Sequence, residues 1–338
     1  MKIAIHKSNS GFHPRWVKYC IEKGIPHKIV DCYDNNIIKE LEDCGALMWH
    51  FNQGNPKDVI VSKQILFALE HTGLKVFPDF YTSWHFDDKV AQKYLFERIG
   101  LPFVSSYVFF DKNEALKWVA ETTFPKVFKL RGGAGSSNVK LAKNQTQAQN
   151  LIKKAFSRGF SNYDRWGNIR ERWRKWRLGK TNLYDVLKGV ARLFYVPEFA
   201  KIGGKEKGYV YFQDFIPNND FDIRIIVIED RAFALKRMVR KNDFRASGSG
   251  NFKYDKEEFD ERCIELAFKA TKELKLQVGA FDFVFDGDNH PLIVEVSYGF
   301  VAEGYDACPG YWDKDLSWHE GRFNPQEWMV EILNKLKT

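Results

Sequence analysis

The first 83 residues alternate strand-like and helix-like stretches, and that rhythm constrains the fold more than any other feature. "KIAIH" leads into a helical "PRWVKYCIEKG", then "HKIVDC", "NIIKELEDCG" and "ALMWHF", before a helical "DVIVSKQILFALEHTG" and a short "KVFPD". Strands separated by helices call for a parallel sheet with helices on its faces, because a parallel crossover needs a connection of helix length. An α/β unit of Rossmann-like type over residues 1–83 is therefore expected. No G-x-G-x-x-G follows the first strand, so a dinucleotide site is not indicated. The loop after that strand, "KSNSGFHPRW", falls at the carboxyl edge of the sheet, where such sheets bind ligands. Its His13 and Arg15 are candidates for an anionic substrate, although Pro14 also reads as the start of a helix after a polar loop.

Further along, "FDDKVAQKYLFERIGLPFVS" reads as a helix that ends at Gly100, with Pro102 beyond it. "FPKVFKLRGGAGSSNVKLAK" reads as strand, glycine loop, strand. Gly132, Gly133, Gly135, Ser136 and Ser137 can turn backbone N–H groups inward around phosphates, and Lys129 is placed to meet the same anion. No G-K-[ST] closes the loop, so it is not a Walker loop. Residues 206–240 return to strands, and in "FDIRIIVIED" Asp222 and Arg224 share one face while Ile223 and Ile225 take the other. A loop with Arg245 follows. The helix "KEEFDERCIELAFKATKELK" then carries Phe259, Cys263, Leu266, Ala267 and Ala270 at helical spacing, a core face.

"DFVFDGDNHPLIVEVS", residues 282–297, reads as a hairpin. Phe281, Phe283 and Phe285 alternate with Asp282 and Val284, and "DGDN" is turn chemistry. A turn centred on Asp288 and Asn289 sets Asp282 opposite Glu295 on one face. Opposed residues lie roughly 4.5–5.5 Å apart, and two carboxylates that close repel unless a cation lies between them. Hard oxygens with room for water and phosphate suit Mg²⁺, whereas two solvated acids on an open hairpin face would need no ion.

The chain's 338 residues suffice for two or three packed units. Its net charge of +8 and pI near 9.0 favour anionic partners. Five scattered cysteines form no paired framework, no apolar run is long enough to span a bilayer, and no signal-peptide core opens the chain; a cytoplasmic protein is expected. His6, His13, His50 and His319 lack metal-ligand spacing.

Taken in order, these stretches resemble the ATP-grasp superfamily, and within it glutathione synthetases, D-alanine–D-alanine ligases and ribosomal-protein glutamate ligases. The resemblance covers roughly residues 1 to 300 and thins after Phe300. It implies an α/β (α+β) chain: a pre-ATP-grasp domain over 1–83, a small ATP-grasp part over 84–205 and a large one over 206–338. It implies ATP and Mg²⁺ as cofactors. Lys89, in "DK" at a helix start, and Lys129, in "P-x-V-x-K", fall to the nucleotide, with Gly132, Gly133, Gly135 and Ser136 over its phosphates. "QDFIP" is similar to the adenine hinge, so Gln213, Asp214 and Phe215 offer main-chain contacts; Asp222 falls near the ribose. Arg237 and Arg245 resemble the arginines that hold phosphate and the reacting carboxylate. Asp282, Glu295 and Ser297 fall on the metal-ligand pattern, although Ser297 stands where the family has Asn. Arg224 joins His13 and Arg15 as a substrate-side candidate.

The implied activity is an ATP-dependent ligase: a carboxylate becomes an acyl phosphate, which an amine then captures. A phosphotransferase acting on a hydroxyl, and a non-catalytic ATP- or anion-binding protein, remain open beside it. The acceptor side includes the aromatic tail after Tyr298, and a glycan is among the acceptors considered.

One segment falls outside this pattern. In the stretch 157–194, Trp166, Ile169, Trp173 and Trp176 recur as one helical stripe, and Leu183, Val186, Leu187, Val190 and Leu193 follow as a second. Eight basic residues stand against Asp164 and Glu171 between Ser157 and Lys180, a net charge of +6. A helical hairpin is expected, either packed on a neighbouring helix or docked on an anionic membrane surface or acidic glycan. Nucleic acid is disfavoured because no recognisable binding module accompanies the charge.

Overall fold

The structure is a computed structural model that describes residues 1–132, 139–161, 169, 172–173, 176–177, 182–194, 204–240 and 244–335. It divides into two units: Met1–Val104 with Ile216–Thr338, and the contiguous stretch Ser105–Phe215.

In the first unit, four parallel strands stand in the order His27–Val30, Ile3–His6, Ala46–Met48, Lys75–Phe77. Ile3, Ala4 and Ile5 are fully buried, in one core with Trp16 and Cys20 of helix His13–Glu22 and Leu66 of helix Pro56–His71. The α/β expectation for this region holds. One element shrinks: "NIIKELEDCG" forms a single turn, Ile37–Glu40.

The same unit holds a seven-stranded antiparallel sheet. Its main path runs Pro291–Ser297, Val278–Phe285, Phe221–Ile228, Arg231–Met238, Gly310–Asp313, Trp318–Glu320, and Phe252–Lys253 also pairs with Arg231–Met238. Strand Phe221–Ile228 is covered on both faces. Ile226 and Ile228 join the parallel-sheet core, while Ile223, Ile225 and Val227 join a second core with Cys263, Ile264, Ala267 and Ala270 of helix Glu261–Leu274. Each fully buried aliphatic or Phe side chain contributes about 1.5–3 kcal/mol, enough for the apolar ends of these strands to carry a charged end.

Helix Lys89–Ile99 begins and ends as its sequence indicates. Asp88 accepts from the Ala91 N–H, and Gly100 takes a left-handed φ of 76°. Its Gln92 amide donates to Val296 O at 2.8 Å and accepts from Val296 N at 3.2 Å. Residues 102–104 extend that pairing: Ile293 N donates to Pro102 O and Val104 N to Ile293 O. The outer edge of strand Pro291–Ser297 is thereby satisfied without another strand.

In the second unit, the sheet order is Ser106–Phe109, Val210–Asp214, Lys126–Lys129, Lys140–Ala142, antiparallel throughout. Phe128 and Phe212 pack with Ala115 and Val119 of helix Lys112–Glu121 and with Ala148 and Ile152 of helix Gln145–Ala155. In the extra segment, Ile169, Arg172, Trp173, Trp176 and Arg177 are helical, as is Leu183–Phe194. Trp166, Arg165, Arg170, Arg174 and Lys175 lie outside the described residues, as do Gly133, Gly135, Ser136 and Ser137 of the glycine loop.

Candidate active site

One face of the antiparallel sheet carries a row of charges across four adjacent strands. The register pairs Arg237 with Asp222, Arg224 with Asp282, and Asp282 with Glu295. The side chains follow the register. Arg237 holds Asp222 through Nε and Nη2 at 2.6 and 2.7 Å, and its Nη2 also reaches Asp282 at 2.8 Å. Arg224 donates to Asp282 through Nε at 2.5 Å and Nη2 at 3.1 Å. At the end of the row Lys89 Nζ stands 3.6 Å from Glu295. The Gln92 clamp fixes this helix against the strand that carries Glu295, which is why Lys89 meets it.

Asp282 faces Glu295 as the sequence indicates, but by a different route. The loop is centred one half-step earlier, on Asp288, with Phe285 opposite Pro291 and Asn289 at a φ of 61°. A bulge at Val294 then restores the expected pairing from Asp282 inward. Two irregularities cancel at the acids.

Electrostatics in the row follow from burial and arginine. Burial alone raises the Asp282 carboxyl, yet Arg224 and Arg237 outweigh it and hold the group below the ordinary carboxylate range. Burial pushes Asp222 up to about 6 against the pull of Arg237. The repulsion between facing acids is thus answered by the chain's own guanidinium groups. Ser297 Oγ accepts from Gly299 N at 3.1 Å and donates to Gly299 O at 3.0 Å, so it shapes the turn after the strand.

Asp87 was not singled out from the sequence. It has a left-handed φ of 52°, and burial lifts its carboxyl to about 6, with Lys89 opposing the rise and Glu295 adding to it. The acid doublet before Lys89 was the available signal: Asp88 caps the helix and Asp87 interacts with the row.

The second unit holds its own buried polar cluster. Lys129 Nζ donates to Gln213 Oε1 at 2.6 Å, and Gln213 Nε2 and Tyr211 OH both donate to Ser106 Oγ. Lys126 pairs with Asp214 at 2.5 Å, its ammonium also above the Tyr107 ring. Gln213 and Asp214 are ladder residues between two strands, and Phe215 follows the strand end. At the start of the glycine loop, Arg131 N and Gly132 N donate to the Glu206 carboxylate at 3.2 and 3.3 Å. Consecutive N–H groups there hold an anion.

His13 and Arg15 are not brought to the charged row. His13 is buried, its ring bonded to Ser10 O and the His50 N–H, and burial lowers its pKa to about 4, so it is neutral at physiological pH. Arg15 forms a two-pronged pair with Asp306 and reaches Gln326. Arg245 stands half-buried, its guanidinium 5.9 Å from the Phe244 ring centroid, on the loop before Phe252–Lys253.

Residues 201–307, which contain the whole row except Lys89, match the family model described as the RimK-like ATP-grasp domain. Among curated proteins the chain is similar to the alpha-aminoadipate–LysW ligase LysX of Saccharolobus solfataricus, 24% identical over 299 residues, covering 84% of this chain and 89% of that one. Among solved structures it resembles the D-cycloserine synthetase DcsG, with a TM-score of 0.59, 13% identity and 100% of both chains covered. It also resembles the biotin carboxylase domain of Hydrogenobacter thermophilus 2-oxoglutarate carboxylase in complex with MgADP. There the TM-score is 0.59 at 14% identity, covering 100% of this chain and 70% of that one. These comparisons make the chain similar to ATP-grasp enzymes of the carboxylate–amine ligase class. More particularly, the stretch 201–307 is similar to a RimK-like ATP-grasp domain.

The class uses ATP and Mg²⁺, and the residues present fit both. Mg²⁺ takes one or two carboxylates and completes its shell with phosphate and water oxygens. Glu295 is partly exposed, and Asp282 accepts three N–H bonds of the roughly four a carboxylate can take. For the phosphates, the Arg131 and Gly132 N–H groups already bind carboxylate oxygens.

Proposed function

We propose that the protein is an ATP- and Mg²⁺-dependent ligase that activates a carboxylate as an acyl phosphate and joins it to an amine, the acceptor being a small molecule, a peptide or a glycan. The observation that carries this reading is the Asp282–Glu295 pair, set across one register position and flanked by Arg224, Arg237 and Lys89. Asp282 and Glu295 would hold the metal, with Ser297 beside them. When bound, Mg²⁺ supplies positive charge against the developing charge on the phosphates.

The chain's own residues do the rest. Lys129 is a buried cation, with Gln213 and Asp214 on the neighbouring strand; together with Phe215 and the glycine stretch they are read as nucleotide contacts. Arg237, fixed at two acids, and Arg245 are read as stabilising charge on the transferring phosphoryl group. A substrate carboxylate attacks the γ-phosphorus, ADP leaves, and an amine then attacks the acyl carbon and expels phosphate. Positioning and electrostatics suffice for this sequence, so no side-chain nucleophile is invoked. The domain division at residues 83 and 205 belongs to the same reading. A cytoplasmic setting suits five buried, unpaired cysteines.

The deciding experiment measures ADP and free phosphate across a panel of carboxylates and amines with ATP and Mg²⁺. Release of both products only when carboxylate and amine are present supports the ligase. A phosphorylated product without free phosphate would assign a kinase instead, and nucleotide binding without turnover would remove catalysis altogether.

A further inference from the structure

Helix Leu183–Phe194 has two unlike sides. Val186 is buried, and Gly189 is approached so closely by Arg172 and Ile169 that an added Cβ would lie 2.8 Å from Arg172 Cδ. On the other side Leu183, Leu187 and Val190, at helical spacing, are exposed at 52%, 58% and 42%. Tyr184 is exposed beside them, with Lys188 Nζ 4.4 Å from its ring centroid.

The preceding helical residues add indoles at one end of this stripe. Arg172 donates to Asp185 O at 3.0 Å, while Ile169 meets Gly189. Contacts that run in opposite sequence directions make the two stretches antiparallel, so Trp173 and Trp176 come level with the Leu183 end. Their rings lie 5.1 Å apart, and both are exposed. Between Ser157 and Lys180 the sequence has a net charge of +6.

We propose that this hairpin is a docking surface for an anionic lipid bilayer. The aliphatic stripe and the indoles enter the headgroup boundary, and the basic residues lie against lipid phosphates. Charge complementarity selects the occupant: aliphatic side chains, tryptophans and dense positive charge together are the composition of interfacial helices. Nucleic acid or an acidic glycan would use the cations but leave Leu183, Leu187 and Val190 without a role. No helix among the described residues is long and apolar enough to cross a membrane, so the contact is peripheral. Arg172 is engaged with Asp185 and is not counted among the lipid contacts. The inference is independent of the ligase reading.

The test is sedimentation of the full chain with phosphatidylcholine vesicles, with and without phosphatidylserine, across a salt series. The wild type should sediment only with phosphatidylserine present and be released by salt. Arg170, Arg174, Arg177 and Lys188 changed together to Gln should lower binding by a few hundredfold, about fivefold per charge. The separate variant Leu183→Ser with Leu187→Ser should bind at least tenfold more weakly, a loss in line with burying two aliphatic side chains. The leucine variant should melt with the wild type, since Leu183 and Leu187 are exposed. Three results would overturn the proposal: no binding to phosphatidylserine vesicles, unchanged binding of the leucine variant, or self-association of the wild type that the leucine variant abolishes.

Discussion

Asp282 and Glu295 face each other, yet their surroundings make them unequal in a mutational test. Asp282 is buried and accepts from both Arg224 and Arg237. Asp282→Asn should therefore destabilise the fold by about 3 kcal/mol, because Arg224 loses its charged partner and Arg237 loses one of its two. Glu295→Gln, at a partly exposed site, should leave the melting temperature nearly unchanged while lowering kcat on the order of 10²-fold or more. A Glu295 variant with normal turnover would remove the metal role. Arg224 gives a sharper test, because its two bonds use most of the acceptor capacity a metal would need. Arg224→Gln should tighten Mn²⁺ binding in the absence of nucleotide by roughly tenfold, the magnitude of one charge-assisted hydrogen bond. Unchanged Mn²⁺ affinity, measured by titration calorimetry, would show that Arg224 does not compete for Asp282. Of these residues, Asp222, Arg224, Asp282 and Glu295 were legible, because strand alternation fixes which residues share a face. The pairing of Arg237 with both acids was not, because nothing local in a sequence encodes which strands become neighbours.

At the scale of elements, alternation located the strands but not their irregularities. The bulge at Val294 and the shifted loop leave no mark in the apolar pattern, since each moves the pairing by one residue and the two cancel at Asp282. Helix Glu261–Leu274 starts later than its pattern suggested, because Asp260 takes the cap and Lys256–Glu258 forms a separate 3₁₀ turn. The most consequential unread device is Gln92, whose apolar-looking helix context hides a side-chain amide that pairs with an edge strand. Gln92→Leu should keep the helix but leave both Val296 backbone groups unsatisfied, at a cost of about 2–4 kcal/mol. Hydrogen exchange should then accelerate at Val296 and its neighbours more than in helix Lys89–Ile99. Uniform acceleration across both elements would instead mean that Gln92 serves the helix. In the second unit, Lys129→Ala should raise the apparent ATP constant with little change in kcat, since a pre-bound cation at a nucleotide contributes to binding in ground and transition states alike.

For the molecule as a whole, contacts between distant segments set what the sequence could not show. Arg15 and Asp306 are 291 positions apart, and Tyr19 reaches Glu331 of the last helix. Read by loop position alone, His13 and Arg15 looked ready for an anionic ligand; the chain that returns over them makes one a core residue and the other an ion-pair partner. The same burial makes this unit sensitive to acid. Burial depresses His6, His13 and His85 to about 4 and His50 to about 3. Each binds fewer protons folded than unfolded between its folded pKa and its ordinary 6.5, so its contribution to stability is present at neutral pH and is lost as pH falls through that window. Asp87 and Asp222, raised to about 6, act with the opposite sign, because their stabilisation is lost as pH rises. The wild-type pH profile sums both, and one substitution separates them. His85 is buried, with Lys63 adding to the depression. His85→Leu keeps an apolar side chain in place and removes the titration. Its stability relative to wild type should be more favourable at about pH 5 than at about pH 8 by about 2 kcal/mol, the free energy of protonating a group of pKa 6.5 that is held near 4. Urea denaturation at the two pH values measures this difference directly. An equal effect at both would mean that His85 takes up its proton without opening the fold, and that the histidines are not what acid attacks.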